Sequence, residues 1–134
     1  MKLPLTLILV ATLAPVSIAW ADDCANANSQ ADMSMCAEAA YKKVDAELNA
    51  AYRHIMERLK SNQASARLLV TAQKSWLGFR DAECAFNSSG TAGGSIQPML
   101  VTQCREDLTR KRVQQLKNYL QCQEGDTSCP VPAN

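Results

Sequence analysis

The stretch "AQKSWLGFRDAEC", residues 72–84, contains the two features that decide the fold, an apolar helical pattern and a cysteine at its end. Four apolar residues in and before this stretch follow at gaps of three and four, which is the spacing of one face of an α-helix: Leu69, Ala72, Trp76 and Phe79. We therefore predict a helix from about Ala64 to Phe86 with these four residues facing inward. Gly78 weakens such a helix by about 1 kcal/mol relative to alanine, which suggests close packing on its side.

The sequence before this helix has the same periodicity. Between Ser29 and Lys60 the apolar residues again recur at gaps of three and four: Ala37, Tyr41, Val44, Leu48, Ala51 or Tyr52, Ile55 and Leu59. Ser29 and Asp32 resemble a capping box, with aspartate in the usual place of glutamate, and "KSNQAS" at 60–65 supplies helix breakers. We predict one long amphipathic helix here.

A loop and a third helix follow. The segment "NSSGTAGGS", residues 87–95, is called the connecting loop below, because three glycines and four hydroxyl residues favour turns over a helix. Ser95 can cap the next helix, which tolerates Pro98 in its first turn and runs to about Gln121. Its predicted inward residues are Val101, Cys104, Leu108, Leu116 and Leu120. No repeat or strand pattern is present, so we predict an all-α, up-down-up three-helix bundle.

Six cysteines occur, and we expect three disulfides to staple the bundle: Cys24, Cys36, Cys84, Cys104, Cys122 and Cys129. An up-down-up arrangement brings the first four cysteines to one end and leaves the last two, seven residues apart, at the other. We favour Cys24 with Cys36, Cys84 with Cys104, and Cys122 with Cys129. The two cross pairings among the first four stay open, because sequence alone cannot determine connectivity.

The N-terminal residues indicate export. Residues 1–21 combine Lys2, an apolar run and small residues at Ala19 and Ala21, which is typical of a secretory signal peptide. We therefore predict a helical domain over 22–121 and a C-terminal tail with a local disulfide over 122–134. No later run reaches the roughly 18 apolar residues of a membrane span, so we expect a periplasmic or secreted protein without one.

The charge and metal-ligand content excludes several function classes. Without Lys2 the chain has 13 basic and 13 acidic residues, so its net charge steers it toward neither nucleic acid nor an acidic membrane. We expect no metal and no cofactor, because the chain has one histidine and no C-x-x-C pair. No nucleophile with a base at helical spacing and no paired carboxylates are evident, so we predict no catalytic residues.

A polar stripe accompanies the aromatic residues of the opening stretch. Gln73, Trp76, Arg80 and Cys84 recur at gaps of three, four and four and so share one face of the helix. We expect this stripe to form interhelical hydrogen bonds, with four candidate partners: Asp45, Asn49, Thr109 or Arg112. Arg80 and Asp81 are neighbours that diverge by about 100° on a helix, so we do not expect them to act together.

Four segments of the chain together resemble a known family. They are "DMSMCAEAAYKKVDAELNAAY" (32–52), "AQKSWLGFRDAEC" (72–84), "GGS" (93–95) and "CREDLTRKRVQQL" (104–116). These ordered positions are similar to the LprI-type lysozyme-inhibitor family, and the resemblance covers about residues 24–120. The chain differs from the lipoprotein that lends the family its name, because it lacks a lipid-attachment cysteine and adds the Cys122 to Cys129 tail.

The resemblance implies a protein that binds and inhibits lysozyme or a related muramidase, and we expect it to be non-catalytic and a monomer. The best candidate surface is the connecting loop, which a Cys84 to Cys104 bond would clamp. We expect it to enter the muramidase cleft and to donate hydrogen bonds from these residues: Ser88, Ser89, Gly93, Gly94 and Ser95. The plainer interpretation is that Gly93, Gly94 and Ser95 only turn the chain and cap the third helix. The alternative function is a periplasmic envelope interaction or scaffold module with an unknown protein partner.

Overall fold

The computed structural model describes residues 24–133 and contains three α-helices. Helix α1 spans Gln30–Arg58, α2 spans Gln63–Asn87 and α3 spans Gln97–Tyr119. A short 3-10 turn, Ser89–Thr91, lies between α2 and α3, and the described residues contain no strand. The prediction of an all-α protein with three helices is confirmed.

Local side-chain bonds explain where the first two helices begin. The Ser29 hydroxyl accepts a hydrogen bond from the Asp32 backbone N–H at 3.1 Å and donates one to the Asp32 carboxylate at 2.6 Å, as the capping pattern predicts. Helix α2 begins after Asn62, whose side chain accepts from the Ser65 N–H at 3.1 Å. These bonds satisfy N–H groups that have no partner within the helix.

The start of α3 differs from the prediction. Ser95 does not cap the helix; the residue at the N-cap is Ile96, which makes no side-chain capping bond. The connecting loop already satisfies nearby backbone groups through its own turns, so a serine cap is not required. Pro98 lies in the first turn as predicted, where its missing N–H has no cost.

Helices α1 and α3 lie side by side in the same direction. At their N-terminal ends Gln30 Nε2 is 3.6 Å from Met99 Sδ. At their C-terminal ends the Arg58 guanidinium donates to the Leu120 carbonyl at 3.0 Å. Like ends therefore meet like ends, α2 connects them in the opposite direction, and the up-down-up topology is confirmed.

The apolar core comes mainly from α1 and α3. Its buried residues are Val44, Leu48, Ala51, Ile55 and Leu59 from α1, Val113 and Leu116 from α3, Ala66 from α2, and Cys122 and Val131 from the tail. Burial of each leucine or isoleucine contributes about 1.5–3 kcal/mol, so the α1 to α3 interface dominates the apolar stabilisation. The inward face predicted for α1 is confirmed, with Tyr41 and Tyr52 partly buried at its edge.

Only two of the four residues predicted to face inward in α2 do so. Leu69 and Trp76 pack against the core, but Ala72 is exposed and Phe79 is 55% exposed. The close packing expected at Gly78 is absent, because a Cβ placed there would meet nothing within 4 Å. The helix has two apolar stripes at helical spacing, and periodicity alone does not tell which stripe the other helices cover.

In α3 the predicted stripe lies at the edge of the buried face. Leu116 is fully buried, whereas the other four predicted residues are partly buried: Val101, Cys104, Leu108 and Leu120. The buried set also includes Met99, Thr109, Arg112 and Val113. Apolar periodicity did not reveal this face because two of its central residues, Thr109 and Arg112, are polar.

Three disulfides join the pairs favoured from the sequence. Cys24 is bonded to Cys36, Cys84 to Cys104, and Cys122 to Cys129. The first bond ties the residues before α1 to its first turns, and the second joins the end of α2 to the start of α3. In the chain-entropy account, closing a loop of about twenty residues stabilises a protein by roughly 3 kcal/mol.

The C-terminal tail packs on the bundle. Cys122 and Val131, which are 9% and 3% exposed, belong to the core, and Cys129 packs against it. None of the helices in the described part combines the length and the apolar character that a membrane span needs. The predicted signal peptide, residues 1–21, and the two aspartates after it lie outside the described residues.

Candidate functional site

The connecting loop is held at both ends by one covalent bond. The Cys84 to Cys104 disulfide, with Cα atoms 5.5 Å apart, joins the last turn but one of α2 to the second turn of α3. Cys84 is fully buried, so the clamp is anchored inside the bundle and not at its surface. This geometry limits the conformations that the loop between the two cysteines can adopt.

Buried hydrogen bonds of Ser88 restrain the first part of the connecting loop. It is 2% exposed, and its hydroxyl donates to the Cys84 carbonyl at 2.9 Å. Its own carbonyl accepts from the Thr91 hydroxyl at 2.8 Å and from the Thr91 N–H at 3.0 Å. Because this hydroxyl is buried and already used, we remove Ser88 from the residues that could contact a partner.

The two adjacent glycines complete a chain of internal bonds. The Gly93 N–H donates to the Gln97 side-chain oxygen at 3.1 Å, and the Gly94 N–H donates to the Thr91 carbonyl at 2.9 Å. Gly93 has φ +78°, a conformation that favours glycine, and a Cβ at Gly94 would lie 3.1 Å from the Thr91 oxygen. Both N–H groups already donate hydrogen bonds, one to Gln97 at the start of α3 and one to Thr91, so they order the loop and are not free to donate to a partner.

The outward side of the loop presents hydroxyl groups next to an apolar residue. Ser89 and Ser95 are exposed, and their hydroxyls make no hydrogen bond within the described part of the chain. Ile96, which the sequence analysis did not single out, follows directly and is 37% exposed. No charged residue occurs from 87 to 99. The surface is therefore a rigid, neutral projection with two free hydroxyl groups.

The polar stripe of α2 forms the interhelical contacts that were expected. The Arg112 guanidinium donates to the Gln73 side-chain oxygen at 3.0 Å, and Arg80 lies 3.8 Å from the Asp45 carboxylate. Trp76 has both cations over its ring, with Arg80 at 5.3 Å and Arg112 at 5.9 Å from the centroid. The stripe joins α2 to α1 and α3, so its role is structural.

The expectation that Arg80 and Asp81 act separately was wrong. Arg80 Nε donates to the Asp81 carboxylate at 3.0 Å, and Arg105 of α3 approaches the same carboxylate at 3.2 Å. Helical divergence applies to the Cβ directions, whereas the long arginine side chain turns back to reach its neighbour. Asp81 therefore bridges α2 and α3 on the surface above the buried Arg80.

Arg112 has an unusual environment among these cations. Burial lowers the pKa of the Arg112 guanidinium from its ordinary value, an effect that Tyr119 partly offsets. Its hydrogen-bond partners are two neutral amides, Gln73 and Gln115, and among the described residues no carboxylate forms an ion pair with it. Arginine stays charged in proteins, so Arg112 is a buried cation held by neutral partners.

The described residues hold no group of three or more histidine, cysteine, aspartate or glutamate side chains arranged to bind a metal ion. The exposed side chains of the connecting loop, Ser89 and Ser95 with the adjacent Ile96, offer hydroxyl and apolar groups for binding. Sequence reasoning located the connecting loop through its glycines and flanking cysteines. It did not find the burial of Ser88, because a hydroxyl that bonds back to the preceding helical turn has no distinct sequence pattern.

Comparisons with known proteins agree with the sequence resemblance. The family model described as Lysozyme inhibitor LprI matches residues 21–116, a range that includes α1, α2, the connecting loop and most of α3. An uncharacterized protein of Rhizobium meliloti (strain 1021) is 35% identical over 113 residues, which cover 76% of this chain and 81% of that protein. No solved structure matches the chain.

Proposed function

Since this chain belongs to the Lysozyme inhibitor LprI family, we propose that it is an exported protein that binds a lysozyme or related muramidase and blocks its cleft. It catalyses no reaction of its own in this proposal. The observation that carries the proposed site is the rigid connecting loop, clamped by the Cys84 to Cys104 bond and braced by Ser88. We place the contact at this loop and not at the opposite end of the bundle.

Rigidity favours binding because less conformational entropy is lost on docking. Ordering a flexible side chain or loop costs about 0.5–1.5 kcal/mol for each immobilised group. The internal bonds of Thr91, Gly93 and Gly94 have already ordered the backbone in the free protein. Because this ordering cost is small, a larger part of the favourable contact energy contributes to the free energy of binding.

The chemistry of the exposed groups matches a retaining muramidase. Such enzymes hold two carboxyl groups on either side of an open cleft. The free hydroxyls of Ser89 and Ser95 can donate to a carboxylate, and hydrogen bonds to charged groups contribute about 1.5–3 kcal/mol. Ile96 supplies apolar area beside them. The loop would act as a plug that competes with the glycan.

The test is the clearing of a cell-wall suspension by lysozymes of several classes, with and without purified oxidised protein. We expect slower clearing with at least one class. Replacing Ser89 and Ser95 with alanine should weaken inhibition by about tenfold or more for each hydroxyl. Ser61→Ala is the matched control, because Ser61 is an exposed serine at the far end of the bundle, between α1 and α2.

One outcome would contradict the inhibitor function, and another would contradict only the proposed contact surface. Unchanged clearing with every class would remove the inhibitor function and favour an envelope interaction with another protein. Slower clearing that the double alanine variant retains in full would keep the function but remove the connecting loop as the contact surface.

A further inference from the structure

The outer face of α2 is an apolar stripe that no other part of the described chain covers. Six residues recur at alternating gaps of four and three: Leu68, Ala72, Ser75, Phe79, Ala82 and Phe86. At 100° per residue they fall within an arc of about 80° on the helix. All six are exposed, and the three large side chains, Leu68, Phe79 and Phe86, are 72%, 55% and 75% exposed. We call this set the α2 outer stripe.

The spacing is that of a coiled-coil seam. Alternating gaps of four and three give a period of 3.5 residues, which keeps one narrow stripe against a partner helix along its whole length. An amphipathic helix that only covers a core shows a broader stripe facing inward. Here α2 contacts its own bundle through a different face, which contains Ala66, Arg80 and Cys84. The outer stripe is therefore a second packing face of the same helix.

We propose that a second copy of this chain covers the α2 outer stripe, with the two α2 helices antiparallel. The stripe is symmetric about Leu77: an antiparallel partner places Leu68 opposite Phe86, Ala72 opposite Ala82, and Ser75 opposite Phe79. A twofold interface needs a surface complementary to itself, and this order of residues supplies one. A parallel partner would instead stack Phe79 on Phe79 and Ser75 on Ser75.

Residue size also fits the antiparallel arrangement. Large residues at both ends meet each other, small alanines meet in the intermediate layers, and the central Phe79 meets a serine. Gly78 lies next to the symmetry point with open space around it, so a partner helix can approach closely there. Alternating large and small side chains across an interface is how helices interdigitate.

A cavity at the Leu68 end provides room for the partner's aromatic ring. It has a volume of about 210 Å³, and its walls include Leu68, Ala72, Tyr119 and Pro130. In the antiparallel arrangement Phe86 of the second copy lies opposite Leu68, at the mouth of this cavity. By symmetry, each copy would insert one phenylalanine beside the C-terminal tail of the other.

Charge favours a second copy over a charged partner. The stripe itself has no charged residue, and neither does one of its flanks, Thr71, Gly78 and Ala85, whereas the other flank contains one carboxylate, Glu83, besides Leu69 and Trp76. In the antiparallel arrangement the two Glu83 residues lie about 12 residues apart along the helix axis, roughly 18 Å, so the two copies meet without contact between like charges. This inference does not depend on the proposed inhibitor function, and it departs from the monomer expected from the sequence.

The apolar area indicates a reversible dimer. At about 200 Å² for each large side chain, the three exposed residues leave roughly 400 Å² of apolar surface in water. Two copies would bury about 800 Å² from these residues, which is below the roughly 1,200 Å² of stable interfaces, so Ser75, the alanines and the flanking residues have to contribute the rest and the dimer is weak. We therefore expect a dissociation constant in the micromolar range.

Sedimentation velocity of the oxidised, exported protein over a concentration series tests the proposal. We expect a concentration-dependent change from monomer to dimer. Monomer alone up to about 1 mM would overturn it, since an interface of this size should associate well below that concentration.

Two matched variants test the surface. Ala82→Lys places an ammonium in the stripe and should raise the dissociation constant at least about tenfold, because the charge loses water against an apolar face. Ala46→Lys, at an exposed alanine of α1, is the control and should leave association unchanged. Equal effects of the two variants would overturn the assignment to this face. So would an Ala82→Lys protein that keeps its association but loses lysozyme inhibition.

A charge pair tests the orientation. In the antiparallel arrangement the double variant Ala72→Glu with Ala82→Lys brings each glutamate opposite a lysine of the other copy, so association should recover to within about threefold of the original. A parallel arrangement would bring like charges together and give no recovery. A double variant with an unchanged circular dichroism spectrum and no recovery would overturn the antiparallel pairing.

Discussion

Arg80 shows how one side chain joins α1 to α2. Its guanidinium lies between the rings of Tyr41 and Trp76, at 5.6 Å and 5.3 Å from their centroids, and is 7% exposed as a residue. Two carboxylates, Asp45 and Asp81, partly compensate its charge. A planar cation suits this position, because it can stack on two rings while it donates to acceptors at its edge.

We predict that Arg80→Ala lowers the free energy of unfolding by about 2–3 kcal/mol, since packing, cation–π contacts and ion pairs are lost together. Arg80→Lys should recover less than half of that loss, because an ammonium cannot stack in the same way. Urea denaturation measures both variants. A loss below about 1 kcal/mol for Arg80→Ala would show that the cluster adds little stability.

Asp126 offers a pH-dependent test in the tail. Hydrogen bonds from the Ser128 hydroxyl and backbone N–H hold the pKa of this carboxyl below its ordinary value of 3.8. A lowered pKa in the folded state stabilises the tail above the ordinary value, and the effect disappears as the pH falls through the folded pKa. NMR titration should show the lowered pKa in the original protein and a higher one in Ser128→Ala. Equal pKa values in the two proteins would contradict this assignment.

The sequence predicted where the helices lie in the chain more accurately than which of their faces are buried. The bounds of α1 followed from a capping pattern and a single apolar stripe, so its buried face was also predicted correctly. Helix α2 has two apolar stripes, and its predicted face mixed residues of both, Leu69 and Trp76 with Ala72 and Phe79. Which stripe is buried depends on the positions of α1 and α3, and no local propensity encodes those positions.

The two disulfides at opposite ends make separate predictions. Replacing Cys84 and Cys104 with alanine should lower the free energy of unfolding by about 3 kcal/mol and also weaken inhibition, since the clamp on the connecting loop is lost. Replacing Cys122 and Cys129 should cost about 2.5 kcal/mol for its shorter loop but leave inhibition intact. Thermal unfolding and the clearing assay measure the two effects. Equal loss of inhibition in both variants would contradict a contact surface at the loop end.

At the scale of the whole molecule, the apolar core and the proposed contact surface lie in different parts of the fold. The α1 to α3 interface and the tail supply most of the buried apolar core, while the connecting loop lies beyond that core and is held by the disulfide and by Ser88. The position of the loop could be predicted from its glycines and cysteines. The orientation of each hydroxyl could not, because it depends on the turn that Ser88, Thr91 and Gly93 form together.

Charge gives a prediction for the complex as a whole. No charged residue occurs from 87 to 99, so the proposed contact surface offers no long-range attraction to a basic lysozyme. We expect inhibition to change by less than about threefold between 50 and 300 mM salt, since screening acts mainly on exposed charges. A loss of an order of magnitude over this range would indicate a charged contact surface elsewhere on the protein.

The most direct test of the account is a residue-resolved NMR titration of the oxidised, isotope-labelled protein with an unlabelled lysozyme that it inhibits. The account predicts that the largest chemical-shift changes fall on Ser89, Ser95, Ile96 and the loop amides between them. Residues 59–63, at the opposite end, should stay unchanged. Shift changes centred on that opposite end, or on the α2 outer stripe, would contradict it.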